Sequence, residues 1–147
     1  MNEPMDRLLA QQACRDLVLR AAACADAGDA QALAQLFAED GVLVRPNAGP
    51  LTGRAAIHAA YAQRPSGRIT RHLVTNTMVE LDDPQSAHAL SYVLLWAGVQ
   101  DDADGPAGRP AAAHQMVGEF ADRFTRAADG RWLIQRREAR FVLHRDG

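Results

Sequence analysis

Apolar residues in the first part of the chain recur at helical spacing: Leu8, Leu9, Leu17, Val18, Ala21, Ala22 and Ala25. That period predicts one long helix over residues 5–27. Gly28 is its expected stop, and Asp29 is placed to cap a second helix over about 30–38, with Leu33, Leu36 and Phe37 on one face. An Asp40-Gly41 turn then leads into a short strand, Val42 to Arg45. Residues 46–53 hold two Pro and two Gly and read as a loop. Ile57 and Tyr61, four apart, mark a third, Ala-rich helix over 54–63. Beyond Gly67 the period changes to two, which predicts strands over about 70–82, 87–100, 112–126 and 131–144. Asp83-Pro84 and Asp129-Gly130 are hairpin-type turns, and 101–110, rich in Asp, Gly and Pro, is a loop. Helices followed by a run of antiparallel strands make a single α+β domain over residues 1–147.

Composition narrows the function. All 16 basic residues are Arg, against 18 acidic ones, for a net charge of -2, so no broad basic field offers itself to nucleic acid or an anionic membrane. The absence of Lys excludes Schiff-base, pyridoxal-phosphate and P-loop lysines. Ser66, Ser86 and Ser91 are the only serines, and none lies in a G-x-S-x-G elbow. Cys14 and Cys24, ten apart on one predicted helix, are about 15 Å apart and too far to bridge; they read as small buried residues in a reducing cytoplasm. Charges near the N-terminus interrupt any signal-peptide core, and no stretch is long and apolar enough for a membrane span, so a cytoplasmic location is expected.

Three residues carry candidate chemistry. Asp26 projects about 20° from Leu19 and about 40° from Ala22 at the edge of the apolar stripe, in the last helical turn, where the helix dipole disfavours an anion. It therefore needs a compensating partner. His72 shares a strand face with Val74, Asn76 and Met78, a mostly apolar face directed at a core or pocket. Alternation on the last strand groups Leu133, Gln135, Arg137, Ala139 and Phe141, so Arg137 is the charge on the more buried face. A buried Arg needs a carboxylate or an anionic ligand. Asp122 and Arg123 face opposite ways, and one of them points inward. No metal-ligand spacing occurs among the His, Cys and carboxylates, and no metal or cofactor is expected.

These residues stand among fragments whose order resembles a known family. Ala25-Asp26-Ala27-Gly28-Asp29, Leu36-Phe37-Ala38-Glu39-Asp40-Gly41-Val42, Gly53-Arg54-Ala55-Ala56-Ile57, Arg71-His72-Leu73-Val74-Thr75-Asn76 and Asp129-Gly130-Arg131-Trp132-Leu133-Ile134 resemble the SnoaL-like branch of the nuclear-transport-factor-2-like superfamily. The resemblance covers nearly the whole chain. It implies a cystatin-like α+β cone, with a curved antiparallel sheet wrapped around the long helix and two shorter ones, and a pocket between helices and sheet. Scytalone dehydratase, γ-hexachlorocyclohexane dehydrochlorinase and bile-acid 7α-dehydratase in this superfamily use an Asp ending the first helix and a His on the first long strand, which Asp26 and His72 match. The latter two also use an Arg on the final strand, where Arg137 falls. The dehydrochlorinase lysine is replaced by Ala21, and the second His and the Asn of scytalone dehydratase correspond loosely to Val99 and Ala121, so neither substrate carries over.

The resemblance thus implies a cofactor-free lyase or isomerase acting on a small apolar or polycyclic substrate. Asp26 would orient His72, His72 would act as general base, and Arg137 would stabilise the developing anion. Leu19, Ala22, Val74, Met78, Leu95, Trp96 and Phe141 are the expected pocket walls. A non-catalytic ligand carrier, a scaffold like the dioxygenase β chains and a polyketide cyclase are the other readings. The expected partners are a small-molecule ligand and further copies of the chain, as a homodimer or homotrimer. Self-association rests on Phe120, Phe124, Trp132 and Ile134, assigned to the outer face of the sheet.

Overall fold

The computed structural model describes residues 3–147 and contains three helices and a six-stranded sheet. Helix α1 (Glu3–Ala27) lies across the sheet and buries Ala10, Cys14, Leu17, Val18, Ala21 and Ala22. Small residues on that stripe let the helix approach closely. Gly28 ends α1 with φ 71, a conformation that a Cβ would disfavour. The Gly28 and Asp29 amides return to the carbonyls of Ala25 and Cys24, a Schellman closure of the last turn. Asp29 then caps α2 (Ala30–Gln35), its carboxylate accepting the Ala32 amide at 3.0 Å. Helix α3 (Arg54–Ala62) packs beside α2 and buries Ile57.

The second helix is shorter than its periodicity predicts. Phe37 already belongs to β1 (Phe37–Val44), because its backbone pairs with Ile134 of the last strand and its side chain is fully buried. The expected Asp40-Gly41 turn is instead an irregularity inside β1, between Phe37 and Val42. A short β2 (Pro50–Thr52) pairs with β1, within the stretch expected to be loop. The long strands are β3 (Arg68–Asp83), β4 (Ser86–Val99), β5 (His114–Arg126) and β6 (Trp132–Asp146), in spatial order β2-β1-β6-β5-β4-β3. The sheet is mixed and open: β1 runs parallel to β6, and every other pair is antiparallel.

Three irregularities decide which side chains face inward, and none is visible as a break in hydrophobic alternation. On β3, Asn76 adopts φ 55 and the register slips between Thr75 and Met78. The slip turns Thr77 inward onto Ser91 and leaves Met78, an expected pocket residue, 71% exposed. On β6, Ile134 pairs with Phe124 while Arg136 pairs with Arg123, so Gln135 is the extra residue and both Ile134 and Arg137 point inward. A second slip, between Gly118 and Val117 of β5, makes Val142 the extra residue opposite them. Gly118 is required there: a Cβ would meet the Arg140 carbonyl at 2.8 Å.

The face assignment behind self-association is therefore reversed. Phe120, Phe124, Trp132 and Ile134 are buried in the core with α1 rather than displayed outside. Phe120 and Phe124 share the inner face of β5 with Asp122, which is fully buried, while Arg123 is exposed. The outer face carries a different apolar row, Leu73, Leu94, Val117 and Leu143, aligned through successive pairing of β3, β4, β5 and β6. Tyr92 and Trp96 flank it, both exposed. No helix is long and apolar enough to cross a membrane among the described residues.

Candidate active site

Asp26 lies at the margin of the buried stripe of α1, where the helix meets β3. Its Oδ1 accepts from His72 Nδ1 at 2.6 Å and from Thr70 Oγ1 at 2.9 Å, and its Oδ2 accepts the His72 backbone N–H at 3.0 Å. Three donors from two adjacent β3 residues of one face and their backbone fix the carboxylate. A carboxylate can only accept, so Nδ1 carries the proton and Nε2 is left with its lone pair. Nε2 has no hydrogen-bond partner among the described residues. The Asp26 and His72 side chains are 14% and 21% exposed, so the pair is partly screened from water yet reachable.

The anion at the end of α1 finds its compensation in Arg64, which follows α3. Arg64 donates to Thr70 Oγ1 at 2.8 Å, to the Arg68 carbonyl at 3.3 Å, and to the carbonyl of Ala25 in the last turn of α1. One guanidinium thus serves the negative end of the helix dipole and, through Thr70, the Asp26 carboxylate. Burial and the neighbouring Arg68 pull the Arg64 pKa below its ordinary value, while Asp26 opposes that shift.

Arg137 is inside, and its partner is a carboxylate. Its Nε and Nη2 donate to the two oxygens of Asp122 at 2.7 and 2.9 Å, with both side chains almost completely buried. The bidentate geometry is the one in which a buried Arg–Asp pair is best satisfied. The Arg137 guanidinium carbon sits 4.2 Å from the Phe120 ring centroid, and that ring is 6.5 Å from the His72 ring. Phe120 therefore stands between the two candidate groups.

His72 and Arg137 line a cavity of about 150 Å³ between α1 and the inner face of the sheet. Its walls include Ala21, Ala22, Leu33, Phe37, Val93, Leu95, Met116, Phe120 and Phe141, with Tyr61 and Arg45 contributing polar groups. Burial pushes the Tyr61 phenol up, against the opposing effect of Arg45, Arg137 and Arg64, so the hydroxyl stays protonated. Of the expected wall residues, Ala22, Leu95 and Phe141 line the cavity. Four do not. Leu19 lies two turns before Asp26 on α1 and is 53% exposed. Trp96 pairs with Arg71 on the outer face, because its neighbour Leu95 pairs with His72 on the inner one. Val74 packs into the core beneath α1, and Met78 is turned out by the Asn76 slip.

Several site residues were not legible as such: Thr70, Arg64, Phe120, Asp122, Tyr61 and Arg45. One signal could have found two of them. A buried Arg137 demands a carboxylate, and choosing Asp122 as that carboxylate puts Phe120 on the inner face by simple alternation.

The family model described as a SnoaL-like domain matches residues 6–138. No curated protein matches the chain. Among solved structures, a scytalone dehydratase candidate from Novosphingobium aromaticivorans DSM 12444 superposes with TM-score 0.81 at 22% identity, over 98% of this chain and 91% of that one. A type 2 hexachlorocyclohexane dehydrochlorinase (LinA) superposes with TM-score 0.81 at 17% identity, over 97% and 91%. An NTF2-like protein with a cystatin-like fold from Novosphingobium aromaticivorans superposes with TM-score 0.72 at 26% identity, over 92% and 84%. With the long helix laid on a curved sheet and a matching model over most of its length, this chain belongs to the SnoaL-like family.

Proposed function

We propose that the protein is a cofactor-free lyase, of the dehydratase or dehydrohalogenase type, or a proton-shift isomerase. The observation that carries this reading is the 2.6 Å contact of Asp26 with His72 Nδ1 at the wall of an apolar cavity. Asp26 holds the ring in the tautomer with a basic Nε2 and supports the imidazolium once a proton arrives. Nε2 removes a proton from carbon, and the C–H electron pair becomes a double bond. In elimination the leaving group departs with its own bonding pair; in isomerisation the imidazolium returns the proton at another carbon. Arg137 has given two N–H groups to Asp122, so it offers the developing anion a fixed, largely neutralised dipole rather than a free charge.

The test is turnover of a panel of small alcohols and halides activated toward elimination, none larger than one substituted ring. His72→Gln should abolish any turnover, and Asp26→Asn should lower kcat by about 10²–10⁴-fold. Turnover that survives His72→Gln overturns the assignment. The self-contained Arg137–Asp122 pair favours a second reading, a non-catalytic ligand carrier, and measurable ligand binding with no turnover of the panel would establish it.

We propose in addition that the chain associates with copies of itself through the outer face. The row Leu73, Leu94, Val117 and Leu143, with exposed Tyr92 and Trp96 beside it, supports this, because contiguous apolar surface of that kind gains by being covered.

A further inference from the structure

Among the described residues, the cavity holds one cation that no carboxylate neutralises. Arg137 is matched by Asp122 and Arg140 by Glu119, at 2.9 Å. Arg45, directly after β1, lines the same cavity and has no carboxylate within ion-pair distance among the described residues. Its Nε is a buried donor with no hydrogen-bond partner. Leaving such a donor unpaired costs free energy, and a charged donor costs more than a neutral one. The guanidinium carbon lies 5.6 Å from the Tyr61 ring centroid, so the aromatic ring supports the cation without using its in-plane N–H groups. Pro46 follows immediately and restricts Arg45 to an extended backbone, which aims the side chain from a fixed base.

We infer that the ligand of this cavity carries a carboxylate, held by the guanidinium of Arg45, on a single small ring. The planar two-oxygen anion fits the guanidinium fork and would satisfy Nε. A cavity of about 150 Å³ takes one ring of about benzene size in its apolar part. The protonated Tyr61 hydroxyl is a further donor in the same wall. This inference rests on the reading of the cavity as a substrate site, and it names the substrate class for it: a small cyclic carboxylic acid.

Binding of benzoate, benzamide and phenol by calorimetry at pH 8 tests the inference, using the protein and its Arg45→Met, Arg45→Lys and Arg123→Met variants. Benzoate is expected to bind at least tenfold more tightly than benzamide or phenol. Arg45→Met should remove that preference, Arg45→Lys should reduce it, and Arg123→Met, exposed and outside the cavity, should keep it. In the unsubstituted protein, the Arg45 Nε–H resonance should shift on adding benzoate and not on adding benzamide, a readout that needs no variant to fold. Equal binding of the three compounds, no benzoate binding at millimolar concentration, or a preference that persists in Arg45→Met or disappears in Arg123→Met overturns the inference. The two readings fail separately. Benzoate preference without His72-dependent turnover sinks only the general-base reading, and His72-dependent turnover without the preference sinks only the carboxylate subsite.

Discussion

At the scale of single residues, burial governs what each charged group can do. Asp122 and Arg137 are tolerable inside because each satisfies the other. Asp122→Ala strands a guanidinium in the core and is expected to cost about 3–5 kcal/mol, read as a lower urea midpoint. A loss below 1 kcal/mol would mean that water reaches Arg137. Replacing both partners by Leu and Met should recover much of the loss. Cys14 gives a pH prediction. Burial, reinforced by Asp122 and opposed by Arg15, pushes its thiol from 9.0 up to about 12. Below pH 9 the thiol is protonated in both folded and unfolded chains, and the full stability is present. As pH rises from 9 toward 12 only the unfolded chain loses the proton, so stability falls, by at most about 1.4 kcal/mol per pH unit. Denaturation midpoints measured across that window should fall more steeply for the unsubstituted protein than for Cys14→Ala. Parallel slopes would show that the thiol ionises equally in both states.

At the scale of elements, the limits of each helix and the three strand irregularities fix the site. The stop at Gly28 and the cap at Asp29 were readable because each follows from one residue's local chemistry. The irregularities were not, because an extra strand residue is defined by its partner strand. Gly118 shows the cost of losing one. A methyl at that position collides with the Arg140 backbone, so Gly118→Ala is expected to destabilise by about 1–3 kcal/mol and to disturb Phe141 and Val93 beside the cavity. Thermal unfolding measures the first effect, and ligand affinity relative to a distant Ala substitution measures the second. An unchanged melting temperature would mean that β6 can slide to accommodate the methyl. Strict alternation misassigned Met78, Trp132 and Ile134 for the same reason: one inserted residue exchanges the two faces of everything beyond it.

At the scale of the whole molecule, the inner face of the sheet is covered by α1, and the outer face is left with its own apolar row. Sedimentation should therefore give a mass that is a small multiple of 15.9 kDa, and Leu94→Glu, at the centre of the row, should shift it toward the monomer. A mass of 15.9 kDa for the unsubstituted protein would show that the face stays open to solvent. By itself the sequence determined the α+β class, the order of the helices and of the strands other than β2, the cap chemistry and the need of Asp26 and Arg137 for partners. These rest on periodicity, backbone preferences and the cost of burying charge, which are written locally. Only the tertiary structure decided that Thr70 and Arg64 support Asp26, that Asp122 neutralises Arg137 and that Arg45 is left unmatched in the cavity. Thr70 lies 44 positions from Asp26 and Asp122 15 from Arg137, and packing and strand register, not residue type, set which of them meet.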